Sequence, residues 1–201
     1  MSSIDWYDAN GETFFARSAH VKDLPQRQRF LSHVPHGGRV LEAGCGSGRD
    51  ALAFAKDGYQ VTAFDGSATM VGLARAHTGL DVMHLTFAEM AWDRAFDGVW
   101  ACASLLHVPA AELPGAMDRV RRALKPGGVA FVSFKLGADE RFANGRWFTD
   151  LEPESLGDLL AAAEFEVLET EISGDLRTDR QGERWASTIA RRPLVDRPPR
   201  A

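Results

Sequence analysis

The eleven residues Val40-Leu41-Glu42-Ala43-Gly44-Cys45-Gly46-Ser47-Gly48-Arg49-Asp50 constrain this chain more than any other stretch. The apolar run with its embedded acid reads as a buried strand, the spaced glycines as a turn, and the apolar periodicity beyond them as a helix. Glycine lets a backbone reach positive φ and approach a ligand closely. The helix start offers free N–H groups and a favourable dipole. Spacing then narrows the ligand. A G-x-G-x-x-G turn holds a pyrophosphate, whereas here the pattern is Glu42-x-Gly44-x-Gly46-x-Gly48, with an acid two residues before the first glycine. A carboxylate there repels a pyrophosphate and suits a cation.

A second acid follows at a telling distance. Residues 59–64 read as the next strand, ending at Asp65, which lies 17 residues after Gly48 and 21 after Gly44. A carboxylate about 20 residues beyond the glycines can hold ribose hydroxyls. A strand-end Asp also serves as a helix cap. Ser67 is better placed to cap the helix expected over residues 68–76, which leaves Asp65 for a ligand.

The rest of the chain alternates strand and helix patterns. Residues 49–57 read as the helix after the turn, stopped by Gly58. Residues 81–84 and 96–101 read as the third and fourth strands. A helix is expected from Pro109, with Leu113, Met117, Val120 and Leu124 on its apolar face. Residues 129–134 are continuously apolar, as a strand buried on both faces should be. Another helix is marked by Leu156, Leu159, Leu160 and Ala163, and residues 165–172 and 184–190 read as two strands. Upstream, residues 8–19 and 23–33 read as two helices of an N-terminal cap spanning 1–34. Residues 135–150 are expected to be a polar loop on the substrate side. The domain is expected to span 1–191, with residues 192–201 a disordered tail.

The Glu42–Gly48 turn, Asp65, and the block Leu124-Lys125-Pro126-Gly127-Gly128-Val129 resemble the class I S-adenosylmethionine (SAM)-dependent methyltransferases, most of all their small free-standing, tellurite-resistance-like members. That resemblance implies an α/β, Rossmann-like fold: a seven-stranded, mostly parallel sheet in the order 3-2-1-4-5-7-6, with the last strand antiparallel and helices on both faces. It also implies SAM as cofactor, lined by Glu42, Gly44, Cys45, Gly46, Gly48, Asp65 and Gly66, and by Cys102, Ala103 and Ser104 at the end of the fourth strand. Met70 stands where it would cover the adenine, or is a core residue. Phe87 and Glu89 are the nearest candidates for the adenine amino group, because the family's usual Gly-Asp pair is missing. Tyr7 or Phe14 in the cap touches the cofactor in the resembled enzymes, or packs on the sheet.

On the substrate side the candidates are Tyr7, Arg17, His107, Lys135, Arg146 and Trp147. His107 is the candidate catalytic group, since a reference pKa near 6.5 suits proton transfer; the alternative is that it caps a helix or packs beneath the loop. Lys135, Arg141 and Arg146 either hold an acidic substrate group or are solvated. Methyl transfer is an in-line displacement in which positioning dominates, and no metal is required.

A net charge of −5 argues against a nucleic-acid surface, and no apolar run approaches a membrane span. Two cysteines form neither a disulfide framework nor a metal spacing. The expectation is therefore a cytoplasmic monomer or homodimer with a small-molecule methyl acceptor, binding neither nucleic acid nor membrane. The alternatives are modification of a protein or RNA by the same fold, or a catalytically silent SAM-binding partner.

Overall fold

A computed structural model describes residues 2–21, 25–177, 180 and 182–195. Helix α1 (Ser3–Ser18) and helix α2 (Pro25–Leu31) form the cap. Strand β1 (Arg39–Ala43), helix α3 (Arg49–Lys56), strand β2 (Gln60–Asp65), helix α4 (Ala68–Thr78) and the short strand β3 (Met83–His84) follow. Then come β4 (Phe96–Ala101), α5 (Leu113–Ala123), β5 (Leu124–Lys135), a hairpin of β6 (Glu140–Ala143) and β7 (Arg146–Thr149), α6 (Pro153–Ala162), β8 (Glu166–Gly174) and β9 (Arg184–Arg191).

Seven strands form one sheet in the order β3-β2-β1-β4-β5-β9-β8. Only β9 runs against its neighbours β5 and β8. With the hairpin set apart, this is the expected 3-2-1-4-5-7-6 order. The order reverses between β1 and β4, and an open α/β sheet leaves its crevice at the carboxyl ends of strands at such a switch. Both faces of the central strands are covered. Leu41, Ala43, Val99 and Val132 pack with Met117, Val120 and Leu160. On the other face Val40, Trp100 and Phe131 pack with Phe30 and Phe54, and the Trp100 and Phe131 rings stack 3.9 Å apart.

Three expectations change. Helix α1 begins at Ser3 rather than residue 8, because Ser2 and Asp5 form a reciprocal capping box that starts the helix early. Helix α5 begins at Leu113 rather than Pro109. Pro114 has no N–H to bond back to the Ala110 carbonyl and is tolerated only in a helix's first turn, so α5 starts just before it. The polar loop is instead the β6–β7 hairpin, turned by Asn144 and Gly145 at φ of 51° and 77°. Asn-Gly between alternating residues is a strong hairpin signal that was present in the sequence. Of the expected tail, residues 196–201 lie outside the described residues. Arg192, by contrast, is buried and donates to the Leu124 carbonyl at 2.7 Å.

Candidate active site

Helix α1 forms the roof of the crevice and is fixed on two sides. Asp8 accepts from the Ser67 hydroxyl at 2.6 Å, tying the helix to α4. At Gly11 a Cβ would stand 2.6 Å from Thr69 Cγ2, so only glycine allows that approach. On the other side, Ser3 Oγ accepts from the Trp147 backbone N–H at 2.9 Å, and Trp6 packs against Gly145. Beneath the roof lies a cavity of about 1250 Å³.

The glycine turn makes one wall. Gly44, at φ 73°, meets the fourth-strand loop so closely that a Cβ would lie 2.5 Å from Ser104 Cβ. The Ser104 hydroxyl donates to the Ala43 carbonyl at 2.7 Å. Gly46, at φ 54°, opens toward Phe14. Its N–H donates to Asp65 Oδ2 at 2.8 Å, while Ser67 N–H donates to Oδ1 at 2.9 Å. Each carboxylate oxygen keeps a free lone pair. Burial pushes the Asp65 carboxyl up, against the pull of those two N–H groups. Glu42 is buried, and one of its oxygens, Oε2, has no partner. Burial, reinforced by Asp50, holds its carboxyl well above the usual range. A buried acceptor without a donor is costly, and a cationic ligand group at this wall would relieve it.

The far wall is a chain of three side chains. The Trp147 carbonyl can only accept, so the 2.7 Å contact puts a proton on His107 Nδ1. Burial lowers the His107 pKa to about 4, so the ring is neutral at pH 7 and Nε2 is an acceptor. Tyr7 then donates its O–H to Nε2 at 3.0 Å, and the Tyr7 oxygen accepts from Arg146 Nη1 at 3.2 Å. Burial also raises the Tyr7 pKa, with Arg146 opposing. His107 is therefore a weak base with both nitrogens engaged, suited to fixing the Tyr7 hydroxyl rather than to carrying a proton away.

This gives a stability prediction with a definite sign. The folded pKa lies below the reference value, so between about pH 6.5 and 4 the unfolded chain binds more protons and stability falls as pH is lowered. The loss across that window is roughly 3 kcal/mol. Denaturant titrations should show it in the wild type and a flatter profile in His107→Gln; identical profiles would remove His107 as the source.

The structure places most of the expected residues around this cavity and moves some away. Glu42, Gly44, Cys45, Gly46, Asp65, Gly66, Met70, Phe87, Cys102, Ala103, Ser104, Tyr7, His107 and Trp147 all line it. Gly48 does not: its φ of 72° starts α3, and a Cβ would strike Thr78 Cγ2 at 2.7 Å, so this glycine serves helix packing. Glu89 is turned back to cap its own 3₁₀ turn through Thr86. Arg17 is exposed on α1, away from the cavity. Lys135 and Arg146 line a separate pocket of about 290 Å³, where Lys135 pairs with Glu183 at 2.8 Å. Strand alternation explains the separation of Arg146: Phe142 and Trp147 face each other on one side of the hairpin, with Arg146 and Phe148 on the other, while Lys135 ends β5. Reasoning from sequence missed Ser18, Gln26, Arg49 and Asp50, which also line the cavity. The Arg-Asp pair directly after the last glycine was the available signal.

Burial raises the Cys102 thiol to about 12, which leaves it inert as a nucleophile. No helix among the described residues is long and apolar enough to cross a membrane.

Comparison with known proteins joins this geometry to a family. Residues 40–128 match a family model described as a methyltransferase domain. A ubiquinone biosynthesis O-methyltransferase of Xanthomonas axonopodis pv. citri is 35% identical over 138 residues, covering 64% of this chain and 55% of that protein. The fold is that of the class I SAM-dependent methyltransferases, and the matched stretch is similar to their methyltransferase domain. That likeness does not extend to the tellurite-resistance-like subgroup in particular. The chain spans about half the length of the curated relatives it matches.

Among solved structures, the Burkholderia thailandensis 1,6-didemethyltoxoflavin-N1-methyltransferase, with bound 1,6-didemethyltoxoflavin and S-adenosylhomocysteine, is similar with a TM-score of 0.76 at 22% identity, covering 94% of this chain and 85% of that one. The [4+2]-cyclase SpnF is similar with a TM-score of 0.74 at 23% identity, covering 96% and 95%. At such identities the likeness is one of fold, and a fold hosts several chemistries. SAM is the cofactor of this methyltransferase family. The residues present fit it: an orphaned buried carboxylate oxygen on Glu42, free lone pairs on Asp65, and a glycine wall open to the cavity.

Proposed function

We propose that this protein transfers a methyl group from SAM to a small-molecule acceptor. The observation that carries the reading is a single cavity shared by the glycine wall, with buried Glu42 and half-buried Asp65, and by the Tyr7–His107 pair. SAM supplies an electrophilic methyl on a sulfonium. Asp65 would hold the ribose hydroxyls and Glu42 the cationic end, with the backbone from Gly44 to Gly46 between them. Phe14 and Met70 offer apolar cover. Tyr7, held in place by His107 and Arg146, keeps one lone pair to accept a hydrogen bond from the acceptor, and the α1 roof with the hairpin excludes water. Fixing the acceptor in line can contribute several kcal/mol, on the order of 7–11 at best. An acceptor that arrives with a free lone pair needs no base, which agrees with the low basicity of His107.

Calorimetric titration with SAM and with NAD tests the cofactor; binding of NAD alone would end the proposal. Incubating methyl-labelled SAM with fractionated extract tests the acceptor. Label in the small-molecule fraction supports the reading, and label in protein or RNA favours a macromolecular substrate. Tight SAM binding with no label in either fraction favours a silent SAM-binding partner.

A further inference from the structure

The cavity does not stop at the Tyr7–His107 pair. It continues outward between the start of α5 and the hairpin, over Val108, Pro109, Ala111 and Ala116 on one side and Trp147 and Phe142 on the other. All six are apolar. The charged groups along this stretch, Glu112 and Arg119, belong to the first turns of α5 and the residue before it.

The hairpin side of the channel pairs a fixed wall with an open lip. Trp147 is pinned by its indole N–H to Glu140 at 3.1 Å and by its backbone to Ser3 and His107. Phe142, its direct cross-strand partner, is 55% exposed. A lone exposed phenylalanine is ordinary. One that extends an apolar channel leading to a polar, buried end has a reason to be there.

Resting on the methyl-transfer reading, we propose that the acceptor carries an extended apolar arm, alkyl or prenyl, that lies along this channel while its methyl-accepting head sits at Tyr7 and His107. Burial of such an arm scales with its apolar area, so affinity rises with arm length until the arm passes Phe142. Gly115, on the channel's α5 side, has room to spare: a Cβ there meets only Arg119 Nη1, at 3.4 Å. A large side chain at that position fills the channel from a helix surface without disturbing the core.

The test uses the full chain saturated with S-adenosylhomocysteine and titrated calorimetrically with methyl, butyl and octyl gallate, a phenolic head on arms of increasing length. The wild type should bind the octyl ester at least about tenfold more tightly than the methyl ester. Gly115→Phe should abolish that gain, and Phe142→Ser should reduce it, while S-adenosylhomocysteine affinity holds in both. Equal affinity along the series, no binding of any ester, or a full gain in Gly115→Phe overturns the proposal. Failure of S-adenosylhomocysteine to bind the wild type would instead sink the methyl-donor reading, so the two failures are distinguishable.

Discussion

Asp65→Ala is expected to weaken S-adenosylhomocysteine binding by at least a hundredfold. Two losses combine. The carboxylate would no longer accept from ribose hydroxyls, and hydrogen bonds to a charged group are worth about 1.5–3 kcal/mol each. In addition, Gly46 and Ser67 lose the acceptor that holds their N–H groups at 2.8 and 2.9 Å. The glycine turn would then relax away from the shape the ligand needs. Asp65→Asn keeps one acceptor oxygen and replaces the other with a donor, so it should fall between wild type and alanine. Titration calorimetry reads both variants, and circular dichroism checks that they fold. An affinity within a few-fold of wild type in Asp65→Ala would take Asp65 out of the donor site, and with it the pairing of acids proposed for the two strand ends.

Gly145→Val should have the opposite selectivity, sparing the donor and losing the acceptor. Gly145 sits at φ 77°, and a Cβ there would come within 2.3 Å of Trp6 Cδ1. A β-branched residue at positive φ is a true outlier, and such backbone strain costs on the order of 1–3 kcal/mol before the clash is counted. The hairpin cannot keep both its turn and its seat on α1. Once it lifts, the Trp147 carbonyl leaves His107 Nδ1 and the Trp147 amide leaves Ser3, so the orientation of the His107 ring is no longer fixed. The donor wall, built from β1, β2 and the turns after them, is not part of that movement. Turnover should therefore fall roughly a hundredfold or more, as misplacement of about 1 Å can cost, with S-adenosylhomocysteine affinity nearly unchanged. Equal loss of both would show that roof and hairpin act on the donor as well. Wild-type turnover would mean that the hairpin does not shape the site.

These two variants divide the molecule along the line that separates local signals from tertiary ones. Val40–Asp50 could be read directly as strand, turn and helix, because each step is a local preference: apolar residues that bury, glycines that accept positive φ, and a helix start that follows. Ser67 and Asp65 were separable for the same reason, since capping depends on position within three residues. The structure bears this out, with Met70 N–H donating to Ser67 Oγ at 3.2 Å and Asp65 left beside the turn. The alternation of strand and helix patterns supplied the elements, and the family resemblance alone implied their order in the sheet.

Side-chain partnership across the fold was not legible in this way. Gly48 looked like a ligand glycine, yet what it makes room for is helix α4, which is distant in sequence. Arg146 and Lys135 looked like substrate cations, but Arg146 is spent on the Tyr7 oxygen from behind, Lys135 pairs with Glu183, and both line a separate pocket. His107 looked like a base until residues 100 and 40 positions away supplied its two partners and burial lowered its pKa to about 4. By itself, the sequence determined the strands and helices, the glycine turn and the two acids at its strand ends, because short-range backbone preferences and apolar periodicity are written residue by residue. Only the tertiary structure decided which cations face the cavity, which glycine serves packing and what His107 can do, because those outcomes depend on desolvation and on hydrogen-bond partners that no local pattern encodes.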